Sequence, residues 1–181
     1  MKHVTFIFGG CRSGKSRYAL EIARNLPADQ RIFIATAVPI DEEMQARIVQ
    51  HQAERGKEWA TVEAPLKLPE AIQTHGQKTE HVVLVDCLTF WINNLLVESA
   101  ESLAFQMQIP RLVEALEGAR CPVLLVSNEV GAGIVPENPL ARTFRDAVGS
   151  MNQAVAASAA SVFWVVAGIP IPIKGNGKSA P

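Results

Sequence analysis

Eight residues near the start, Gly9, Gly10, Cys11, Arg12, Ser13, Gly14, Lys15 and Ser16, match the spacing G-x-x-x-x-G-K-[ST] at every fixed position. These residue types suit a phosphate cradle. Glycines let successive backbone N–H groups turn inward, and a helix beginning there adds the positive end of its dipole. Lys15 would reach the β- and γ-phosphates of a nucleoside triphosphate, and the Ser16 hydroxyl would hold Mg²⁺. A carboxylate, Asp86, closes the apolar run Val82-Val83-Leu84-Val85. Ligands of open α/β sheets bind at such strand ends. Asp86 would either orient Mg²⁺, directly or through water, or stand as an ordinary strand-terminal acid facing solvent. The loop does not choose between ATP and GTP, and the chain has no Asn-Lys-x-Asp guanine-reading sequence.

A third group is basic. Arg47, His51 and Arg55 are four residues apart, which places them on one face of a helix, with Met44 and Ile48 on an adjoining face. Two guanidiniums beside an imidazole disfavour its protonation and attract phosphate oxygens. That combination suits a histidine that attacks phosphorus and carries a nucleotidyl group. A solvated basic face has the same spacing, so both readings stand. His3 and His81 at strand starts and His75 before a glycine read as structural or solvated.

The elements that would position these groups alternate between strand and helix. Strands are expected at His3 to Phe8, Arg31 to Thr36, Ala60 to Glu63, His81 to Asp86, Pro122 to Ser127 and Ser161 to Ala167. Helices are expected at Lys15 to Leu26, Asp41 to about Arg55 with Asp41 as N-cap, Leu68 to His75, Leu88 to Val97, Ser102 to Glu117 with a kink at Pro110, and Leu140 to Ala160. Ile171 to Lys174 adds a short edge strand, the position Pro172 suits. Continuous apolar strands separated by helices predict an α/β fold, a mostly parallel sheet with helices on both faces. One domain over residues 1–174 is expected, with a mobile tail at 175–181.

The chain has 181 residues, 48% of them hydrophobic, and a formal net charge of −1. A sizeable core is available, and the charge gives no sign of a nucleic-acid or anionic-membrane partner. Cys11, Cys87 and Cys121 lack the paired spacing of a zinc site and read as reduced thiols of a cytoplasmic protein. The apolar stretch Ala154 to Ile171 reads as a helix followed by a buried strand, not a membrane span.

Several segments converge in order: GGCRSGKS, IATA, DEEMQARIVQHQAERGKEWATVEAP, VLVDCLTFWINNLL, VSNEVGAGIVPENPLARTFRDAVGSMNQ and VVAGIPIPIK. Over nearly its whole length the chain resembles the bifunctional adenosylcobinamide kinase / adenosylcobinamide-phosphate guanylyltransferase family of cobalamin synthesis. The resemblance implies a RecA-like P-loop fold and a homotrimer. It also implies two reactions: phosphorylation of adenosylcobinamide by ATP or GTP, then transfer of GMP from GTP to the new phosphate through a GMP–histidine intermediate, with release of pyrophosphate.

By position in H-x-x-x-R-x-x-x-W the histidine is His51, preceded by Gln50 and followed by Arg55 and Trp59. Nucleotide contacts carry over to Gly9 through Ser16, to Ile34, Ala35 and Thr36, to Gln52, Ala53, Glu54 and Arg55, and to Glu63 and Asp86. Lys15 joins His51 as a catalytic candidate. Glu129, Arg142 and Arg145 are candidates for contacts to the corrinoid substrate or a neighbouring subunit, or are plain surface charges. Pro172 departs from the expected pattern and puts the pairing of the last strand in doubt. The alternatives are a kinase-only P-loop enzyme and a RecA-like ATPase that switches binding partners.

Overall fold

The structure, a computed structural model, describes residues 4–39, 41–42, 45–46, 49, 52, 55–56, 58–98 and 104–175. The elements run β1 (Val4–Gly9), α1 (Lys15–Asn25), β2 (Gln30–Ala35), β3 (Trp59–Glu63), α2 (Leu68–Gly76), β4 (His81–Asp86), α3 (Leu88–Glu98), α4 (Ala104–Glu117), β5 (Val123–Asn128), α5 (Pro139–Ser158), β6 (Ser161–Val166) and β7 (Ile169–Lys174). Between β2 and β3, the described residues Glu42, Gln45, Ala46, Val49, Gln52 and Arg55 are helical, and the Gln45 N–H donates to the Asp41 carbonyl. Pro110 lies inside α4, which continues through it as one helix. Among the described residues no helix is long and apolar enough to cross a membrane.

The strands form one sheet in the order β3-β2-β4-β5-β1-β6-β7, parallel throughout except for the antiparallel β6–β7 pair. This is the expected α/β fold. The last strand is paired despite Pro172. It starts at Ile169, and its register shifts between Val162, opposite Lys174, and Phe163, opposite Pro172. A proline without an N–H is accommodated at such an irregularity on an edge strand.

Alternation along the strands divides the core between the two faces. Val83 and Val85 of β4 join a cluster with Trp91, Ile92, Leu112 and Leu116, under α2 to α5. Val82 and Leu84 join the other cluster, with Tyr18, Ala19 and Ala23 of α1. The central strands are therefore apolar on both faces, as a sheet covered on both sides requires. The helical segment before β3 packs on the α1 face: Arg24 of α1 donates from Nη2 to the Arg55 carbonyl at 3.1 Å and pairs with Glu58 at 3.4 Å.

Candidate active site

β1 delivers the chain directly into the glycine-rich loop, and α1 starts at Lys15. Gly14 is the N-cap with φ 94°, and no side chain caps this end. The first N–H groups of a helix have no intrahelical acceptor, so this end offers donors to an anion. Lys15 is buried, and its Nζ donates to the Gly10 carbonyl at 3.1 Å. The glycines divide by purpose. A Cβ on Gly9 would lie 2.3 Å from the Val165 carbonyl oxygen and 2.8 Å from Ser13 Oγ, so Gly9 is required by the close approach of β1 to β6. A Cβ on Gly10 would meet nothing within 4 Å, which leaves that side of the loop open to a ligand.

Strand register builds the second part of the site. Ala35 lies opposite both Glu63 and Asp86, so the two carboxylates stand in one row across β3, β2 and β4. Two inter-strand spacings put their Cα atoms about 10 Å apart. Behind them Phe33 lies opposite Thr61. These residues, with Gln45, Gln52, Arg55 and Phe90, line a cavity of about 440 Å³. Asp86 in turn lies opposite Val126, which pairs with Ile7. The cavity's acid is thus about 10 Å from the strand that feeds the phosphate loop.

Among the described residues, Arg55 is the cation that lines the cavity. It is only 5% exposed, and its guanidinium carbon lies 3.5 Å from the centre of the Phe33 ring. Burial opposes its charge and lowers its pKa, while the negative charge of Asp86 acts the other way. A planar cation stacked on an aromatic face, near a carboxylate and in a half-enclosed pocket, is suited to a phosphate or to a polarised base.

The floor is fixed by hydrogen bonds. The fully buried Thr36 hydroxyl donates to the Cys87 carbonyl at 2.7 Å and accepts from the Cys87 N–H at 3.0 Å. Asn94 of α3 donates from Nδ2 to the carbonyls of Thr36 and Pro65, at 2.8 and 3.0 Å. The ends of β2 and β4 and the segment after β3 are therefore locked together. Beside the phosphate loop, the Asn128 N–H donates to Thr89 Oγ1 at 2.8 Å, and the Glu129 N–H donates to the Gly9 carbonyl at 3.0 Å.

The structure gathers Ala35, Gln52, Arg55, Glu63 and Asp86 into this cavity, and Gly9 through Ser16 into the loop. Ile34 and Thr36 are fully buried, Ile34 in the core and Thr36 against Cys87. Contact from either to a ligand would have to come from the backbone. His51, Ala53 and Glu54, like Arg47, Gln50, Met44 and Ile48, lie outside the described residues, as do tail residues 176–181. Arg142 and Arg145 are engaged locally: Arg142 donates to the carbonyls of Pro136 and Glu137, and Arg145 to those of Ile134 and Gly131. They hold the loop before α5.

Phe33, Thr61 and Phe90 were not among the candidates. The period-two placement of Phe33 with Ala35 and of Thr61 with Glu63 carries the signal for the first two. For Mg²⁺, no group of three or more His, Cys, Asp or Glu side chains that could hold a metal occurs among the described residues. One hydroxyl, Ser16, and one carboxylate, Asp86, fit an ion held mainly by phosphate oxygens and water.

The family model described as cobinamide kinase / cobinamide phosphate guanyltransferase matches residues 5–173. The chain is 42% identical to the bifunctional adenosylcobalamin biosynthesis protein CobU of Escherichia coli K12, over 93% of this chain and 98% of that one. It is 39% identical to the bifunctional adenosylcobalamin biosynthesis protein CobP of Pseudomonas aeruginosa, over 94% and 96%. Among solved structures, a type III secretion system ATPase superposes with a TM-score of 0.60 at 11% identity, covering 95% of this chain and 57% of that one. A Pyrococcus horikoshii OT3 protein gives a TM-score of 0.56 at 8% identity, over 98% and 88%. At such identities these two likenesses show the fold alone.

Proposed function

The chain belongs to the cobinamide kinase / cobinamide phosphate guanyltransferase family, and on that premise we propose that it carries out both reactions on adenosylcobinamide. It first phosphorylates the aminopropanol hydroxyl with ATP or GTP. It then moves GMP from GTP onto that phosphate, giving adenosylcobinamide-GDP and pyrophosphate. The observation that carries the reading is the cavity of Arg55, Glu63 and Asp86 at the C-terminal ends of the parallel strands, the end from which the phosphate loop also leaves β1. A triphosphate held by the loop has a second, cationic pocket within reach.

In the transfer, the backbone N–H groups at the start of α1 and the Lys15 ammonium hold the phosphates. His51 attacks the α-phosphorus, pyrophosphate leaves, and the substrate phosphate attacks the histidine-bound GMP. Arg55 stabilises charge on the transferring phosphorus, and Glu63 and the cavity walls orient the nucleoside. Mg²⁺ brought in with the nucleotide, held by Ser16 and Asp86, would neutralise charge on the phosphate oxygens. For the kinase step the same loop positions the γ-phosphate, and positioning and charge matter more than a strong base.

A homotrimer in the cytoplasm fits this reading. Ile169, Ile171 and Ile173 of β7 and Trp164 of β6 are exposed apolar side chains at one sheet edge, a surface suited to contact between copies. Sedimentation velocity would test the trimer. The function is tested with GTP labelled at the α-phosphorus: an acid-labile, base-stable protein label lost in His51→Ala is expected. Mass spectrometry after supplying adenosylcobinamide, GTP and Mg²⁺ should find adenosylcobinamide-GDP. Label retained by the variant would remove His51 as carrier.

A further inference from the structure

If Lys15 and Asp86 frame the reacting phosphorus in both steps, the two reactions present different phosphorus atoms to them. Guanylyl transfer needs the α-phosphorus there. Phosphoryl transfer needs the γ-phosphorus there, with the rest of the nucleotide extending the opposite way along the loop. The cavity of Arg55 and Asp86 lies at β3, β2 and β4. On the other side of the loop a cleft of about 810 Å³ opens between α1 and the turn from β6 to β7. The strands at the two ends of this arrangement, β2 beneath the cavity and β6 beside the cleft, are four strand spacings apart in the sheet, roughly 19 Å, although the far wall of the cleft, Arg24, touches the Arg55 backbone.

The cleft is built onto the phosphate loop. The Gly168 N–H of the turn donates to the Ser13 carbonyl at 2.8 Å. A Cβ on Gly14 would lie 3.2 Å from Gly168 Cα, so loop and turn are in direct backbone contact. Ser13 Oγ is buried with no hydrogen-bond partner. Arg12, Arg17 and Arg24 line the cleft with Glu21 and Asn25, all five exposed, and Arg24 is engaged with the Arg55 carbonyl and Glu58. The guanidiniums of Arg12 and Arg17, at the loop end of the cleft, suit phosphate oxygens, while the Glu21 carboxylate and Asn25 amide further along α1 suit ribose hydroxyls and the edge of a base. Glu21 argues against an occupant that is anionic throughout. The volume is that of a small-molecule site.

We propose that this cleft receives the ribose and base of the phosphoryl donor in the kinase step, so that the two reactions place their nucleosides on opposite sides of one phosphate loop. The assignment rests on the function proposed above. In the step, the acceptor alcohol oxygen bonds to the γ-phosphorus, and the bond from that phosphorus to the β–γ bridging oxygen breaks. Nucleoside diphosphate leaves with the electron pair, and the hydroxyl proton passes to solvent.

The test fills the cleft from exposed positions, with Glu21→Trp and Asn25→Trp in the full chain. The KM for ATP in phosphorylation of adenosylcobinamide should rise about tenfold or more, while kcat/KM for guanylyl transfer from GTP to adenosylcobinamide phosphate stays within about twofold. Photolysis of the wild-type protein with 8-azido-ATP should label peptides holding Glu21 or Gly168. Equal losses in both reactions, no change in either, or labelling around Thr61 and Phe90 would overturn the assignment. A wild-type protein without kinase turnover would remove the parent function itself, and is told apart because no variant is needed to see it.

Discussion

The Arg55 guanidinium carbon stands 3.5 Å from the centre of the Phe33 ring, and the Asp86 charge acts on the same guanidinium. β2 supplies the ring, β4 the acid and the segment before β3 the cation, so the contact joins three parts of the chain. Lysine cannot reproduce a flat, forked cation on that surface. Arg55→Lys should lower kcat/KM for guanylyl transfer by about 10- to 100-fold, with Phe33→Leu causing a smaller loss in the same direction. Steady-state assays with GTP would measure both. Equal activity of the lysine variant would mean that charge alone suffices.

Gly9 and Gly10 should separate packing from binding. Gly9→Ala forces a methyl to within 2.3 Å of the Val165 carbonyl oxygen. It is expected to cost about 1–3 kcal/mol of stability and to lower the midpoint of thermal unfolding. Gly10→Ala meets no protein atom within 4 Å. It should unfold within about 0.5 kcal/mol of the parent and lose affinity for nucleotide by titration calorimetry.

The three cysteines should differ sharply in reactivity. Burial pushes the Cys87 thiol up to about 12 and Cys121 up to about 11, while Cys11 is exposed in the phosphate loop. At mildly alkaline pH, N-ethylmaleimide should modify Cys11 alone, and ATP or GTP should slow it. Peptide mapping by mass spectrometry reads the outcome. Rapid modification of Cys87 would show that the floor beneath Asp86 opens readily.

His75 gives a pH dependence of stability. Burial, then the charges of His81 and Lys78, hold its imidazole below the ordinary 6.5. The unfolded chain therefore takes up a proton near 6.5 that the folded chain refuses. The contribution is present above that value and is lost as pH falls through it. The pKa of Glu80 is lowered from 4.5, chiefly by a backbone hydrogen bond, so its own contribution is lost only in more acidic solution. The urea midpoint should fall between about pH 7.5 and pH 5.5, and His75→Gln should flatten that fall. An unchanged slope would assign the dependence to other groups.

Much of the candidate site's layout was legible because its signals are local. The phosphate loop is a run of eight residues after an apolar strand, and Asp86 is the first polar residue after four apolar ones. The segment with Gln52 and Arg55 carried a basic, helical spacing, and its described residues are helical. Phe33 and Thr61 escaped notice because an aromatic and a threonine in short strands look like core and edge until register sets them opposite each other. Arg142 and Arg145 read in the sequence equally as contacts to substrate or a neighbouring subunit and as surface charges, because a sequence does not show which carbonyls a loop will present to them.

The sequence by itself determined the alternation of strands and helices, the phosphate loop and its attached lysine, and the family resemblance, because each depends on residues close together in the chain. Only the tertiary structure decided that Glu63, Ala35 and Asp86 form one row, that Arg55 lies over Phe33, and that Gly9 is held against β6. These relationships depend on strand order and register. Both are set by how apolar faces far apart in sequence bury one another, and no local pattern records that choice.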